Sequence, residues 1–465
     1  MTVTDPLRPP GNVDAHPLDA GPYWDIHANP GDSHVRLRPG GFKHLLVPAL
    51  AAACLADQPW RITNAPDIAD TRVLSAIVTE LGAKVTGADG MLTVDAGSLH
   101  SHTIPTQWSS QIHGGVYLLP TLLATRGQVA SGAHGGCRIG GGSNGARPMA
   151  HMATVMERFG ARCAVAPGNF QAWAPPSGLR GTVIDLAEFG SPDAVSGKPT
   201  GPHYSGATKT ALLLAATANG TTVLRNPYPK PDVTGLAHTL AAAGASIRLS
   251  PTEIVIDGRG GPLGATQLTL PSDLMEVITF IAAAVCLDRH VTLTLEQPEV
   301  VRAGLAPELR HMDTMGLSLS WNDRMLEIEP VQHLRPAHVV AASHLVYSDA
   351  QPLFALMMLK ASGPSRLTET VWRGRFGYVS GLRELGAHLE QAGDDLLVRP
   401  SRLRPAPRPL RAGDLRAAMA LVIAALSTGQ PQRLYGVEHL ARGYAEVRDK
   451  LARFGARIDL RPNHE

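Results

Sequence analysis

The stretch "GAHGGCRIGGGSNGARP", residues 132 to 148, sets one thiol, Cys137, among seven glycines and two arginines. A cysteine serves as nucleophile or proton donor near neutral pH when neighbouring cations and backbone N–H groups tune it. Glycines let such a loop fold over a small anion with its amides turned inward, and they let it move. The pattern points to proton transfer or covalent chemistry on an anionic small molecule. It lacks the Gly-Lys-Ser/Thr ending of a nucleotide P-loop. Cys54, Cys163 and Cys286 lie on apolar stretches and read as small buried hydrophobes. His100 and His102 in "LHSH" fall on one face of an expected strand, but a metal site needs a third ligand that the sequence does not offer. Neither metal nor cofactor is expected.

Arginine greatly outnumbers lysine, which draws attention to Lys43 in "GGFKHLLVPALAA". Asp349 in "LVYSDAQPLF" precedes an apolar run, so its carboxylate suits a helix N-cap, a general base, or both. Arg416 and Arg442 suit either helix-surface charges or ligands of an anion.

These groups need a scaffold, and the chain is long enough for more than one core. At 465 residues it suggests two or three domains with a cleft between. Hydrophobic residues at 44%, charged residues at 18% and a net charge of +2 are globular values and leave no large basic face for nucleic acid. No window approaches a membrane-spanning apolar run, and the four cysteines form no C-x-x-C pair. A cytoplasmic enzyme without a membrane partner is expected, with residues 1–25 as a flexible, Pro-rich leader.

One short pattern recurs along the chain, a helical segment running into hydrophobic-Gly-small-x-hydrophobic: "LGAKV", "FGARC", "AGASI", "MGLSL", "LGAHL" and "FGARI". Its glycines, at 82, 160, 244, 316, 386 and 455, are spaced by 78, 84, 72, 70 and 69 residues. Around each lies the same grammar, typified by "TALLLAATA", "TTVLRN" and "DVTGLAHTLAAAG": apolar helix, strand, amphipathic helix, then a glycine C-cap and another strand. Six such α/β units divide naturally as three per domain, with the boundary near residues 258–273 and the segment before Lys43 completing the C-terminal half.

These features resemble the enolpyruvyl transferase family over roughly residues 30–460. The resemblance implies a two-domain inside-out α/β barrel of six βαβαββ units, with residues 44–271 as one domain and 26–43 plus 272–465 as the other. "GGFKH" is similar to the family's Gly-x-Lys-Asn start, and "GGCRIGGGSNGARP" to its cysteine loop, with Gly141–Gly145 inserted. The implied catalytic residues are Cys137 as acid or covalent group, Asp349 as base, and Lys43. Lys43, Arg147, Arg416 and Arg442 are the implied phosphoenolpyruvate ligands, while Arg375 in "RGRFGYV" and Asp349 join the acceptor side. Asp273 and Glu276 fall at the inter-domain connection. The implied partners are phosphoenolpyruvate and a nucleotide or nucleotide-sugar acceptor, and domain closure is an expected step.

A cysteine in this loop favours the UDP-sugar branch over the branch acting on shikimate 3-phosphate. Yet several acceptor-side positions depart from it. His44 replaces the asparagine, Gln111 and His113 stand where an arginine is usual, Ala150 replaces an acidic residue, and Pro202, His203 and Ser205 replace a diphosphate-directed lysine. Retained chemistry beside lost cations implies a smaller acceptor, foremost the 3'-hydroxyl of UMP as in nucleoside-antibiotic synthesis. UDP-N-acetylglucosamine is the alternative, and a non-catalytic nucleotide-sugar-binding relative the third.

Overall fold

The computed structural model describes residues 21–137, 139, 149–194 and 196–461, so Arg147 and the inserted Gly141–Gly145 lie outside the described residues. Six four-stranded sheets share one plan, a parallel pair followed by two antiparallel pairings. In one, Trp60–Thr63 runs parallel to Thr266–Thr269 and antiparallel to Met91–Asp95, which pairs in turn with Lys84–Ala88. Three such sheets come from residues 60–269; three come from residues 290–461 together with the first two strands. His34–Leu37 lies parallel to His290–Thr294, and Tyr23–Ala28 sits between Gln432–Tyr435 and Ala456–Arg461. The expected leader is thus too long at its C-terminal end, because the chain from Tyr23 is a central strand whose Trp24 and Ile26 reach the core.

Four of the six parallel pairs are joined by a crossover that carries an apolar helix, such as Leu415–Ser427 between Leu410–Arg411 and Gln432–Tyr435. Lys43–Ala53 is buried from Leu45 onward, and Leu274–Cys286 and Leu415–Ser427 are buried along nearly their whole length. Helices apolar on every face belong inside. The chain places them centrally, with strands such as Lys84–Ala88 and Arg162–Ala166 turned toward solvent. All six repeat glycines adopt positive φ, from 88° at Gly386 to 107° at Gly244, the left-handed C-cap geometry that a side chain disfavours. His100 and His102 lie in the coil before strand Thr103–Ile104 rather than on it; nearby Ser98 and Gln128 hold their rings.

The chain passes between the two sets of sheets twice, at 38–43 and at 270–273, and the passes are bonded together. Phe42 N donates to Pro271 O at 2.9 Å and Asp273 N to Gly40 O at 2.6 Å. Gly41 lies so close that a Cβ there would stand 1.8 Å from Asn64 O. Asp273 caps the helix Leu274–Cys286 through Met275 N and Glu276 N, and also accepts Lys43 N–H at 2.9 Å. Glu276 accepts from Gly40 N and from Lys450 Nζ. The start of the Lys43 helix is therefore fixed to both sets of sheets at once. Among the described residues no helix is long and apolar enough to cross a membrane.

The repeat glycines make a stability prediction. Gly316→Ala adds only ordinary contacts to Arg335 and should cost about 1 kcal/mol through φ alone. Gly455→Ala should cost clearly more, since its Cβ would stand 2.2 Å from Asn29 O. Gly377→Ala, in open space, serves as control. Identical denaturation midpoints for all three would contradict the capping role.

Candidate active site

One cleft of about 250 Å³ gathers the described residues expected to act in catalysis or binding, Lys43, His44, His113, Cys137, Ser205, Asp349, Arg375, Arg416 and Arg442, but not Gln111, Ala150, Asp273 or Glu276. Lys43 opens its helix, and its Nζ lies 2.7 Å from Asp70 Oδ2 and donates to Arg442 O at 2.9 Å. Asp70, in the first turn of helix Ala69–Glu80, also receives Arg442 through Nε at 2.9 Å and Nη2 at 3.3 Å. Burial alone would raise this carboxyl; Lys43 and Arg442 overcome that and hold it below its ordinary range.

Arg442 also donates from Nη1 to Cys137 Sγ at 2.9 Å, and His439 Nδ1 lies 3.7 Å from the same sulfur. Cys137 is only 6% exposed, more buried than its polar loop suggests. Burial pushes such a thiol up, but His439 and Arg442 outweigh it and bring the pKa down. Reciprocally, the sulfur outweighs the burial of His439 and raises its imidazole.

Asp349 anchors a second group of cations. Its Oδ1 meets Arg375 Nη1 at 2.8 Å, and its Oδ2 meets Arg416 Nε at 3.0 Å and His44 Nε2 at 3.6 Å. Against its own desolvation, the two guanidiniums hold this carboxyl well below the usual range. Asp349 is no helix cap: the helix Gln351–Met358 is capped by Ala350 without a side-chain bond. Nor is Arg416 a surface charge, at 2% exposure, with Tyr444 beneath its guanidinium. Arg416 Nη1 and Arg375 Nε are buried without a hydrogen-bond partner among the described residues, which leaves donor capacity at the cleft.

Toward Gly201–Gly206 the lining changes. His151 and His203 stack with centroids 4.8 Å apart, beside His113, Ser205 and Trp372. Lys209 here is paired with Asp232 and lies over the Tyr117 ring. Sequence reasoning missed Asp70, His439, Lys209 and Asp232. Asp70 shows only an acidic residue at a helix start, and His439 stands 302 residues from the cysteine it touches.

Since His439 and Arg442 lower the Cys137 pKa, the thiolate persists to lower pH. Iodoacetamide labelling of Cys137, followed by peptide mass spectrometry, should have its pH midpoint below the ordinary thiol value of about 8.5. His439→Ala should move the midpoint upward. A wild-type midpoint at or above the ordinary value would rule out this electrostatic control.

Comparison with known proteins gives the family. The family described as EPSP synthase (3-phosphoshikimate 1-carboxyvinyltransferase) matches residues 34–451. The UDP-N-acetylglucosamine 1-carboxyvinyltransferase of Chlorobium phaeovibrioides is 30% identical over 424 residues, 90% of this chain and 94% of that one. UDP-N-acetylglucosamine 1-carboxyvinyltransferase 2 of Mesorhizobium japonicum is 32% identical over 421 residues, again 90% and 94%. The crystal structure of the enolpyruvyl transferase NikO from Streptomyces tendae superposes with a TM-score of 0.87 at 36% identity, covering 96% of this chain and 100% of that one. An EPSP synthase from Acinetobacter baumannii, with a TM-score of 0.67 at 17% identity over 95% of this chain and 100% of its own, shares the fold. The chain belongs to the EPSP synthase family and is an enolpyruvyl transferase.

Proposed function

We propose that the enzyme transfers the enolpyruvyl group of phosphoenolpyruvate to the 3'-hydroxyl of UMP and releases phosphate. The acceptor hydroxyl attacks C2 while its proton passes to Asp349, and C3 takes a proton from Cys137. Loss of a C3 proton then expels phosphate and restores the double bond. Lys43, Arg416 and Arg442, with Arg147 of the cysteine loop, hold the anionic donor; Arg375 acts on the acceptor side through Asp349.

Against burial, the charges around Cys137 and Asp349 lower both pKa values: His439 and Arg442 act on Cys137, and Arg375 and Arg416 act on Asp349. A phosphate and a carboxylate entering the cleft compete for Arg442 and Arg416 and bring negative charge near the sulfur. Both effects raise the proton affinity of Cys137 and Asp349, the direction that an acid and a base each need.

The observation that carries the UMP reading is the lining at Gly201–Gly206: among the described residues no lysine or arginine stands there, and Lys209 just beyond is neutralised by Asp232. A monophosphate acceptor suits this better than a diphosphate sugar. The named activity of the 30–32% identical relatives favours the second reading, UDP-N-acetylglucosamine as acceptor. We further infer a cytoplasmic enzyme of two inside-out barrel domains, residues 44–271 and residues 26–43 with 272–465. The two sets of three sheets around buried helices support the division, and the unpaired cysteines support a reducing compartment.

Phosphate release from phosphoenolpyruvate should proceed with UMP and be absent with UDP-N-acetylglucosamine. Turnover with the UDP-sugar alone would transfer the assignment to the second reading. Cys137→Ala and Asp349→Asn should each lower kcat by about 100-fold or more if they are the acid and base.

A further inference from the structure

Asp349 sits on chain with little regular structure. Residues 342–350 run as turns between the strand His338–Ala341 and the helix Gln351–Met358. Buried backbone groups outside a ladder need other partners. Some are local: Ala342 N donates to Val346 O at 3.1 Å, and Leu345 N to Ala342 O at 3.0 Å. Leu345 O and Tyr347 N instead find charged side chains. Lys230, 4% exposed, donates from Nζ to Leu345 O and lies 3.9 Å from the Tyr347 ring centroid. Glu308, fully buried, accepts Tyr347 N–H at 2.6 Å through Oε1, while its Oε2 has no hydrogen-bond partner among the described residues.

Burying a lysine and a glutamate is expensive unless each makes a directed contact. Burial pushes the Glu308 carboxyl up to about 7, with Lys230 opposing the rise, so the two charges are within electrostatic reach. They come from different parts of the fold. Lys230 caps the helix Pro231–Ala242 among the first set of sheets, and Glu308 belongs to the helix Ala306–Met315 of the second. The Lys230 contact therefore forms only when the two sets stand together, which is also when His44 reaches Asp349.

We propose that Lys230 and Glu308 are positioning residues that grip the Leu345–Tyr347 backbone from the two sides of the fold and keep Asp349 aligned with His44, Arg375 and Arg416. The proposal rests on Asp349 serving as the base. Through Lys230, approach of the two sets of sheets is coupled to the placement of that base.

The test is phosphate release from phosphoenolpyruvate with UMP, or with UDP-N-acetylglucosamine should that be the acceptor. Lys230→Met should lower kcat about tenfold or more while the KM for phosphoenolpyruvate stays within about threefold. Lys230→Arg, which keeps a donor, should recover most of the loss. Glu308→Gln retains an acceptor for Tyr347 N–H and should lose less than Glu308→Leu. Iodoacetamide labelling of Cys137 should be unchanged in all four variants, separating misplacement of the base from collapse of the cleft. If Lys230→Met fails to fold, the Lys230→Arg and Glu308→Gln enzymes decide: kcat for both no better than for Glu308→Leu would overturn the proposal. So would Lys230→Met with wild-type kcat. Wild-type turnover by Asp349→Asn would instead mean that the base itself is misassigned.

Discussion

Among the described residues Lys43, Arg375, Arg416 and Arg442 meet in one cleft beside the Lys209–Asp232 pair, and the mutual repulsion of the four must be answered before any substrate arrives. Two carboxylates answer it. Asp70 holds Lys43 and Arg442, and Asp349 holds Arg375 and Arg416. On the proposed function, an anionic substrate enters a site whose charges are already aimed and binds by exchange of partners. The same exchange would change the proton affinity of Cys137, the proposed acid, since Arg442 touches both Asp70 and Cys137.

The rest of the architecture serves that convergence. Lys43 leads a helix anchored by Asp273 at the point where the chain passes between the two sets of sheets, while Arg442, Arg416 and Asp349 come from the second set. Residues nearly 400 positions apart, Lys43 and Arg442, share a hydrogen bond across the gap. Geometry at the cleft thus depends on how the two sets sit against each other. The passes at 38–43 and 270–273 are hydrogen-bonded to each other where the chain moves from one set to the other.

Much of this was legible in the chain. The six-fold glycine pattern announced the repeated unit because a helix C-cap needs a residue free to adopt positive φ, a local demand that leaves a local mark. The glycine-rich setting of Cys137 and the lysine of "GGFKH" marked positions that the fold does bring into one cleft. The first three residues of a central strand fell inside the expected leader, because Tyr23–Ala28 has no partner nearby in sequence; its neighbours lie beyond residue 430.

What the sequence by itself determined were the properties that arise within a few residues: helix and strand periodicity, the glycine caps, the buried character of the Ala- and Leu-rich helices, and the reactive residue types. Only tertiary structure decided the pairings. Nothing near Asp70 in sequence shows that it would answer two cations, nor that His439 would tune a thiol, nor that Asp349 would be clamped between arginines instead of capping the helix after it. Electrostatic interactions act through space across a few ångströms. In a chain whose two ends fold into the same sheet, those ångströms bear no relation to distance along the sequence.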